Sequence, residues 1–505
     1  MMSKRINRSL ALVFVVALAL TGWLVSLVAG VSAQRASVVS APARNAAIVA
    51  ATVEVLKETS EIRELTILRP VPSGAQSRAE IERMLIKNLN DDMTGAEMHA
   101  TEVSLRKFGL APRDFEYRPF IIKLLTEQVA GYYDPKARQF YLADWLELEG
   151  QKPVMAHELT HALQDQHFNL RRFEKWPKGD ADAELAAHAL VEGDATLAMM
   201  LYLARNPLAG LAFSRSLTTG VATEQYDQAP RAMRESLIFP YMQGSEWARQ
   251  LYKRGGWTAV SNAFTRLPLS SEQILHPEKY FTYERPIQVT LPDVTNLLNG
   301  KERSAISNQQ SANSKPPTGG TTDRGTGTAG VPPASVTKHS SRSLPGRRPL
   351  PTAHRPLPAV GWHRVDSDVN GEWTYYLILD QFLAAPDESK RATAGWAGDR
   401  YALYEGPNGE VFLAQVAVWD TENDAREFFD AYVKRTELRY PGAKRIDAPD
   451  SQLETQTSQL QTQNSYSWRT SEGKVTIELR GLRVVILEGI PENVVGDALT
   501  NALRQ

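Results

Sequence analysis

Apolar residues recur every three or four positions over residues 77–89, 96–107 and 114–127, which predicts three helices, with Gly109 and Pro112 breaking the chain between the last two. The period then shortens. Residues 128–133 and 138–143 are β-rich runs on either side of Asp134-Pro135, the pattern of a hairpin. An earlier run, 65–69, reads as a short strand closed by Pro70 and Pro72. Helical spacing returns over 154–168, where Met155, Ala156, Leu159, Ala162 and Leu163 form an apolar back and Pro153 suits the first turn. An Ala-rich helix follows at 180–202, marked by Leu185, Leu190, Leu197 and Met200. Two more lie at 244–254 and 258–266, on either side of Gly255-Gly256.

Residues 301–358 lose this periodicity and become rich in Ser, Thr, Pro, Gly and Arg, the composition of a solvated tether. Globular patterning resumes after it. Strands are predicted at 374–382, 401–404, 410–419, 465–469, 474–479 and 482–488, and helices at 422–438 and 492–503. The class is therefore α+β. A mostly helical domain with a small sheet and edge hairpin spans 61–295, a low-complexity linker 296–358, and a small antiparallel α+β domain 359–505. Residues 34–60 read as an Ala/Val/Ser-rich spacer with a short helix near 52–59.

Three further features change the picture. Lys4, Arg5 and Arg8 precede an uncharged apolar run, 9–33, that ends Val31-Ser32-Ala33. This is a signal peptide over 1–33, or a signal anchor retained in the membrane. Either way the rest of the chain is expected to be exported, to the periplasm, the cell envelope or the medium. The formal net charge is −1, so charge makes no case for nucleic acid. There are no cysteines, which excludes disulfides and thiolate ligands; a zinc site here must use His and carboxylates.

One stretch offers such a site. His157-Glu158-Leu159-Thr160-His161 is H-E-x-x-H within a predicted helix. Residues four apart lie one turn apart on one face, so both imidazoles can reach one Zn²⁺. Glu158, about 100° round the helix, stays beside the metal and can take a proton from a water there. The plain alternative is an ordinary His pair on a polar face. Glu192, 31 residues after His161 on the next helix, is the candidate third ligand. His188, one turn earlier, is its rival. His167 lies about 280° from His157 and should not reach the metal, while Asp194 lies about 200° from Glu192 and should point elsewhere.

His157-Glu158-x-x-His161 followed by Glu192 resembles the gluzincin branch of the zincin metallopeptidases, and the surrounding phrases resemble exported bacterial proteins of this type. The resemblance covers roughly 61–295. It implies that His157, His161 and Glu192 bind Zn²⁺, that Glu158 is the catalytic base, and that a sheet edge holds a peptide or protein substrate. It also implies an oxyanion donor from a later element, for which His276 and Tyr241 are the candidates, with Tyr280 third. Gluzincins often carry an Asp four residues after the ligand Glu, where it orients a ligand His. Here that position is Thr196, with Asp194, Asp165 and Gln164 as substitutes. The expected activity is that of an exported zinc-dependent peptidase; a non-catalytic zincin-like binding or scaffold module is the alternative.

Overall fold

A computed structural model describes residues 41–176, 179–220, 224–300, 361–446, 464–492, 494 and 496–503. The apolar run 9–33 and most of the linker lie outside the described residues. Among the described residues no helix is long and apolar enough to cross a membrane.

The chain is α+β and mostly helical, with two sheets. It opens with α1 (Ala41–Arg63), then β1 (Ser73–Gln76), α2 (Arg78–Asp92), α3 (Gly95–Phe108) and α4 (Tyr117–Gln128). The hairpin β2 (Gly131–Asp134) and β3 (Gln139–Ala143) leads into α5 (Leu148–Phe168). After a 3-10 turn come α6 (Ala181–Arg205), α7 (Pro207–Gly220), α8 (Glu224–Gln228) and α9 (Arg231–Ala263), then the short α10 (Ser271–Leu275), α11 (Pro277–Thr282) and α12 (Thr295–Leu298).

Residues 41–60 are not a spacer. They belong to a 23-residue helix whose Ile48, Ala51, Val55 and Leu56 sit in one core with Met155, Leu159 and Leu163 of α5 and Leu190 of α6. The composition suggests a spacer, but these apolar residues fall at helical spacing and form one packed stripe. Residues 65–69 are not a strand. They run beside α5, where Gln166 Oε1 accepts from the Leu68 and Arg69 N–H groups. The strand of this region is β1, paired parallel with β3, and the sheet order is β1-β3-β2.

Helix α5 begins at Leu148, six residues before the predicted start, because Glu147 caps it by accepting from Glu149 and Gly150 N–H. Pro153 therefore lies inside the helix. The face that carries His157, His161, Gln164 and Asp165 is buried as fully as the apolar back, so α5 is a central helix. Helix α9 is longer than predicted and passes through Pro240, held by the buried Phe239 and Tyr241. It breaks at Gly255 and Gly256 as the sequence suggests, with Gly256 at φ 61°.

The second unit contains β4 (His363–Asp368), α13 (Gly371–Leu383), α14 (Pro386–Thr393), β5 (Trp396–Glu405), β6 (Val411–Trp419), α15 (Glu422–Arg439), β7 (Lys444–Arg445), β8 (Ser465–Thr470), β9 (Gly473–Arg480), β10 (Arg483–Ile490) and α16 (Gly496–Leu503). Its seven strands pair antiparallel in the order β4-β5-β6-β10-β9-β8-β7. Residues 374–382, read as a strand, form most of α13. A helix buried on most sides has an apolar run as continuous as a buried strand's. Alternate β6 residues face two cores: Leu413, Ala417 and Trp419 meet α13 and α15, while Phe412, Ala414 and Val416 face the other side. That other side is covered by Val289, Val294 and Leu298 together with Leu499 of α16. The boundary predicted at 295/296 is therefore too late. Residues from about Ile287, whose N–H donates to Ala397 O at 2.7 Å, already belong to the second unit.

Candidate metal centre

Helices α5 and α6 place three donor atoms together. His157 Nε2 lies 3.1 Å from His161 Nε2 and 3.1 Å from Glu192 Oε2, and His161 Nε2 lies 3.3 Å from the same oxygen. In a tetrahedral site the ligand–ligand edge is about 1.63 times the bond length, so Zn–N and Zn–O bonds of about 2.0–2.1 Å require edges of about 3.3–3.4 Å. One observed edge matches and the other two are about 0.2 Å shorter, so the triangle comes close to one face of that tetrahedron. His157, His161 and Glu192 form the buried group of convergent His and carboxylate atoms among the described residues. Rival ligand His188 is not in the group; its Nε2 has no hydrogen-bond partner among the described residues, and burial pushes its imidazole down to about 4.

The tautomer of His161 follows from its neighbour. Gln164 Nε2 donates to Val191 O and to Asp194 Oδ2, both at 2.9 Å, so its Oε1 must face the other way, where it lies 2.9 Å from His161 Nδ1. A carbonyl oxygen can only accept. Nδ1 therefore carries the proton and, in the neutral ring, Nε2 turns a lone pair to the centre of the triangle, as a metal ligand must. The donor set, two imidazole nitrogens and one carboxylate, is one that could hold a metal ion.

In the protein alone the trio is strongly polarised. Burial would raise Glu192, but the two imidazoles carry it down to about 2. Burial would lower His161, but Glu192 and Glu158 lift it to about 9, and burial lowers His157. Glu158 is not part of the triangle. Burial pushes it up to about 8, against the lowering effects of His161 and of the Tyr133 N–H that donates to its Oε2 at 3.0 Å. A carboxylate so perturbed is suited to exchanging protons near neutrality.

Two small-residue contacts bring in Tyr241. A Cβ on Gly193 would lie 2.2 Å from the Gly244 carbonyl group, and one on Gly244 would lie 2.2 Å from Ala189 O. The α6 and α9 backbones thus touch, and one turn before Gly244 the Tyr241 ring stacks on His157, with centroids 5.8 Å apart and planes at 25°. His276 is placed elsewhere. Its Nε2 lies 2.9 Å from Glu372 Oε1 at the contact between α10 and α13, and its Nδ1 lies 3.8 Å from Glu278. Tyr280 donates to Arg266 O and stacks edge-on against Trp247. Of the three oxyanion candidates, only Tyr241 touches a ligand side chain.

The substitutes for the missing Asp separate in the same way. Asp165 accepts from Arg69, from the Tyr133 hydroxyl at 3.0 Å and from Leu170 N–H, so it clamps the hairpin to α5 and does not orient a ligand. Asp194 reaches the site through Gln164. His167 bonds Thr66 O, away from the centre. Arg63 was missed altogether: its Nε donates to Asp194 Oδ1 at 2.5 Å. No local pattern links residues 131 positions apart, and nothing in the sequence around Arg63, inside the predicted domain 61–295, marks it as part of a site. A second carboxylate cluster, Glu272, Glu284 and Asp420, already surrounds the Lys279 ammonium.

No curated protein and no solved structure matches the chain. A family described as "Domain of unknown function (DUF8575)" matches residues 357–499, the second unit without the cluster.

Proposed function

We propose that this protein is a zinc-dependent peptidase of zincin-like architecture, with His157, His161 and Glu192 as metal ligands and Glu158 as general base. The observation that carries the reading is the triangle of donor atoms at tetrahedral-edge spacing, beside a buried carboxylate that is not one of its corners. A structural zinc closes its fourth position with a protein ligand; a catalytic one leaves it open. Bound Zn²⁺ would supply Lewis acidity, polarising a carbonyl and making water nucleophilic near neutral pH. Glu158 receives the proton of the attacking water and returns it to the leaving amine. Tyr241 is the candidate donor to the oxygen that becomes negative. The apolar run 9–33 supports export of the domain.

The test is zinc analysis combined with hydrolysis of a mixed peptide library, with and without chelator, on the wild type and on Glu158→Gln. One zinc per chain in both proteins, with chelator-sensitive turnover in the wild type alone, is the expected result. Wild-type turnover in Glu158→Gln removes the assignment.

A second reading has its own observation. His157, Glu158, His161 and Glu192 are each no more than 4% exposed, and β2, the edge strand of the small sheet, is buried against α5. A non-catalytic domain held together by its metal is closed in this way. Zinc binding at one per chain without hydrolysis of any peptide in the library favours it.

A further inference from the structure

We propose that Arg63 is a positioning residue of the metal centre, acting through Asp194 and Gln164 on His161, so that the N-terminal helix α1 sets how tightly the site holds its metal. The inference rests on the metal reading of the His157–His161–Glu192 triangle.

The connection is continuous and buried. Arg63 ends α1 and is fully buried. Its guanidinium lies over the Trp257 ring at 4.4 Å, its Nη2 donates to Ser261 Oγ at 3.1 Å, and its Nε donates to Asp194 Oδ1. Asp194 is equally buried, and its other oxygen accepts from Gln164. Each link constrains the next. Gln164 must turn Oε1 to His161 because its amide nitrogen has two acceptors to serve. One of those acceptors is a carboxylate without exposed surface, and such a group keeps its charge and place only when a cation compensates it. Arg63 supplies that cation from outside the α5–α6 pair. Without it, the Asp194 carboxylate has to find another donor. Gln164 then loses an acceptor, and nothing forces its oxygen to face His161. An amide turned over would present N–H to Nδ1, which selects the tautomer whose Nε2 carries hydrogen and cannot bind metal.

The structure also shows why α1 is where this control resides. The chain after Arg63 continues as a strap along α5: Gln166 binds the backbone at Leu68 and Arg69, His167 binds Thr66 O, and Asp165 binds Arg69. Displacing α1 would withdraw Arg63 and loosen the strap together, while His157, His161 and Glu192 stayed on their own helices.

The experiment measures Zn²⁺ affinity by chelator competition, and the d–d spectrum of the Co²⁺-substituted full chain, for wild type, Arg63→Lys, Arg63→Met, Gln164→Met and Arg63→Met/Gln164→Met. Loss of an outer partner of a metal ligand typically weakens binding by about 10–100-fold. That loss is expected for Arg63→Met, with a shifted Co²⁺ spectrum and partial recovery in Arg63→Lys. In the Gln164→Met background, removing Arg63 should cost no further affinity, because the path to His161 is already cut. Independent, multiplying losses in the double variant overturn the proposal, as does wild-type affinity and spectrum in an Arg63→Met protein that is merely less heat-stable. If Arg63→Met does not fold, Arg63→Lys, alone and combined with Gln164→Met, carries the comparison under the same two criteria. A wild-type chain that binds no zinc defeats the metal reading itself, a different result from either.

Discussion

Replacing Gly193 by Ala separates the two halves of the site. Glu192, on α6, meets the histidines of α5, whereas Tyr241 is carried by α9. The added methyl would sit 2.2 Å from the carbonyl carbon and oxygen of Gly244. Ordinary contact begins near 3.4 Å, so the helices must part locally by about 1.2 Å. Neither partner can relieve this by changing a rotamer, because the clash is with backbone. Overpacking of this kind costs about 1–3 kcal/mol, to be read as a shift in urea midpoint at constant slope. The metal side should survive, since the ligand triangle has no corner on α9. Turnover should not: a displacement near 1 Å at a reacting centre can cost about 100-fold. The expected signature of Gly193→Ala is thus near-normal zinc stoichiometry, a modest loss of stability and a large fall in kcat. A variant with wild-type kcat refutes the claim that the α6–α9 contact positions Tyr241. One that loses its zinc shows that the triangle depends on α9 after all.

Other perturbations separate the remaining assignments. Tyr241→Phe should retain zinc and lose about 10²–10³-fold in kcat, as removal of an oxyanion donor does; His276→Ala, which cuts a contact to Glu372, should leave kcat near that of the wild type, and the reverse pattern in a kinetic assay would restore His276 as the donor. Zinc analysis of Glu192→Ala should show metal loss, whereas His188→Ala should keep its zinc; full retention in Glu192→Ala would overturn the ligand choice. Asp182 provides a pH test away from the centre. Burial holds its carboxyl well above the usual range, with Oδ2 accepting from Ser271 N–H at 3.0 Å. The native state therefore binds a proton that the unfolded chain releases near pH ~3.9, and stability falls as pH rises from there toward the folded value. Asp182→Asn should flatten that fall in urea titrations between pH 4 and 8. It should not abolish it, because Asp399 and Glu272 are also raised, to about 6 and about 8. An unchanged slope would show that Asp182 is not the group responsible.

The parts of the site that were legible in the sequence lie within a helical turn of each other or on the next strongly periodic segment. His157, Glu158 and His161 are set by the 3.6-residue repeat alone. Glu192 was reachable because one helix follows α5 through a short connection. The hairpin before α5 announced itself through its Asp-Pro turn. What could not be read depends on which helix faces which. Tyr241 could be offered only as one of three aromatic or His candidates, because its place follows from Gly193, Gly244 and Ala189 meeting across α6 and α9. Arg63 was invisible for the same reason, and α1 itself because its Ala/Val/Ser-rich composition masks the helical spacing of Ile48, Ala51, Val55 and Leu56. The misreading of α13 as a strand has a different origin: a buried helix and a buried strand both present unbroken apolar runs.

The second unit also packs on the helix that carries Tyr241. Helix α9 is clamped from both sides. Gly244 fixes it against α6, while Phe239 packs on Trp373 of α13 at 4.7 Å between centroids, and Arg231 pairs with Asp380 and donates to the Tyr376 hydroxyl. Phe239 lies two residues from Tyr241 on the same helix, so its ring points away from the one that stacks on His157. Helix α9 thus bridges α6 and α13. Under the proposed function, the two halves of the site are held from different parts of the fold: the His157–His161–Glu192 triangle is reached from α1 through Arg63, and the helix that carries Tyr241 packs on the second unit through Phe239 and Trp373.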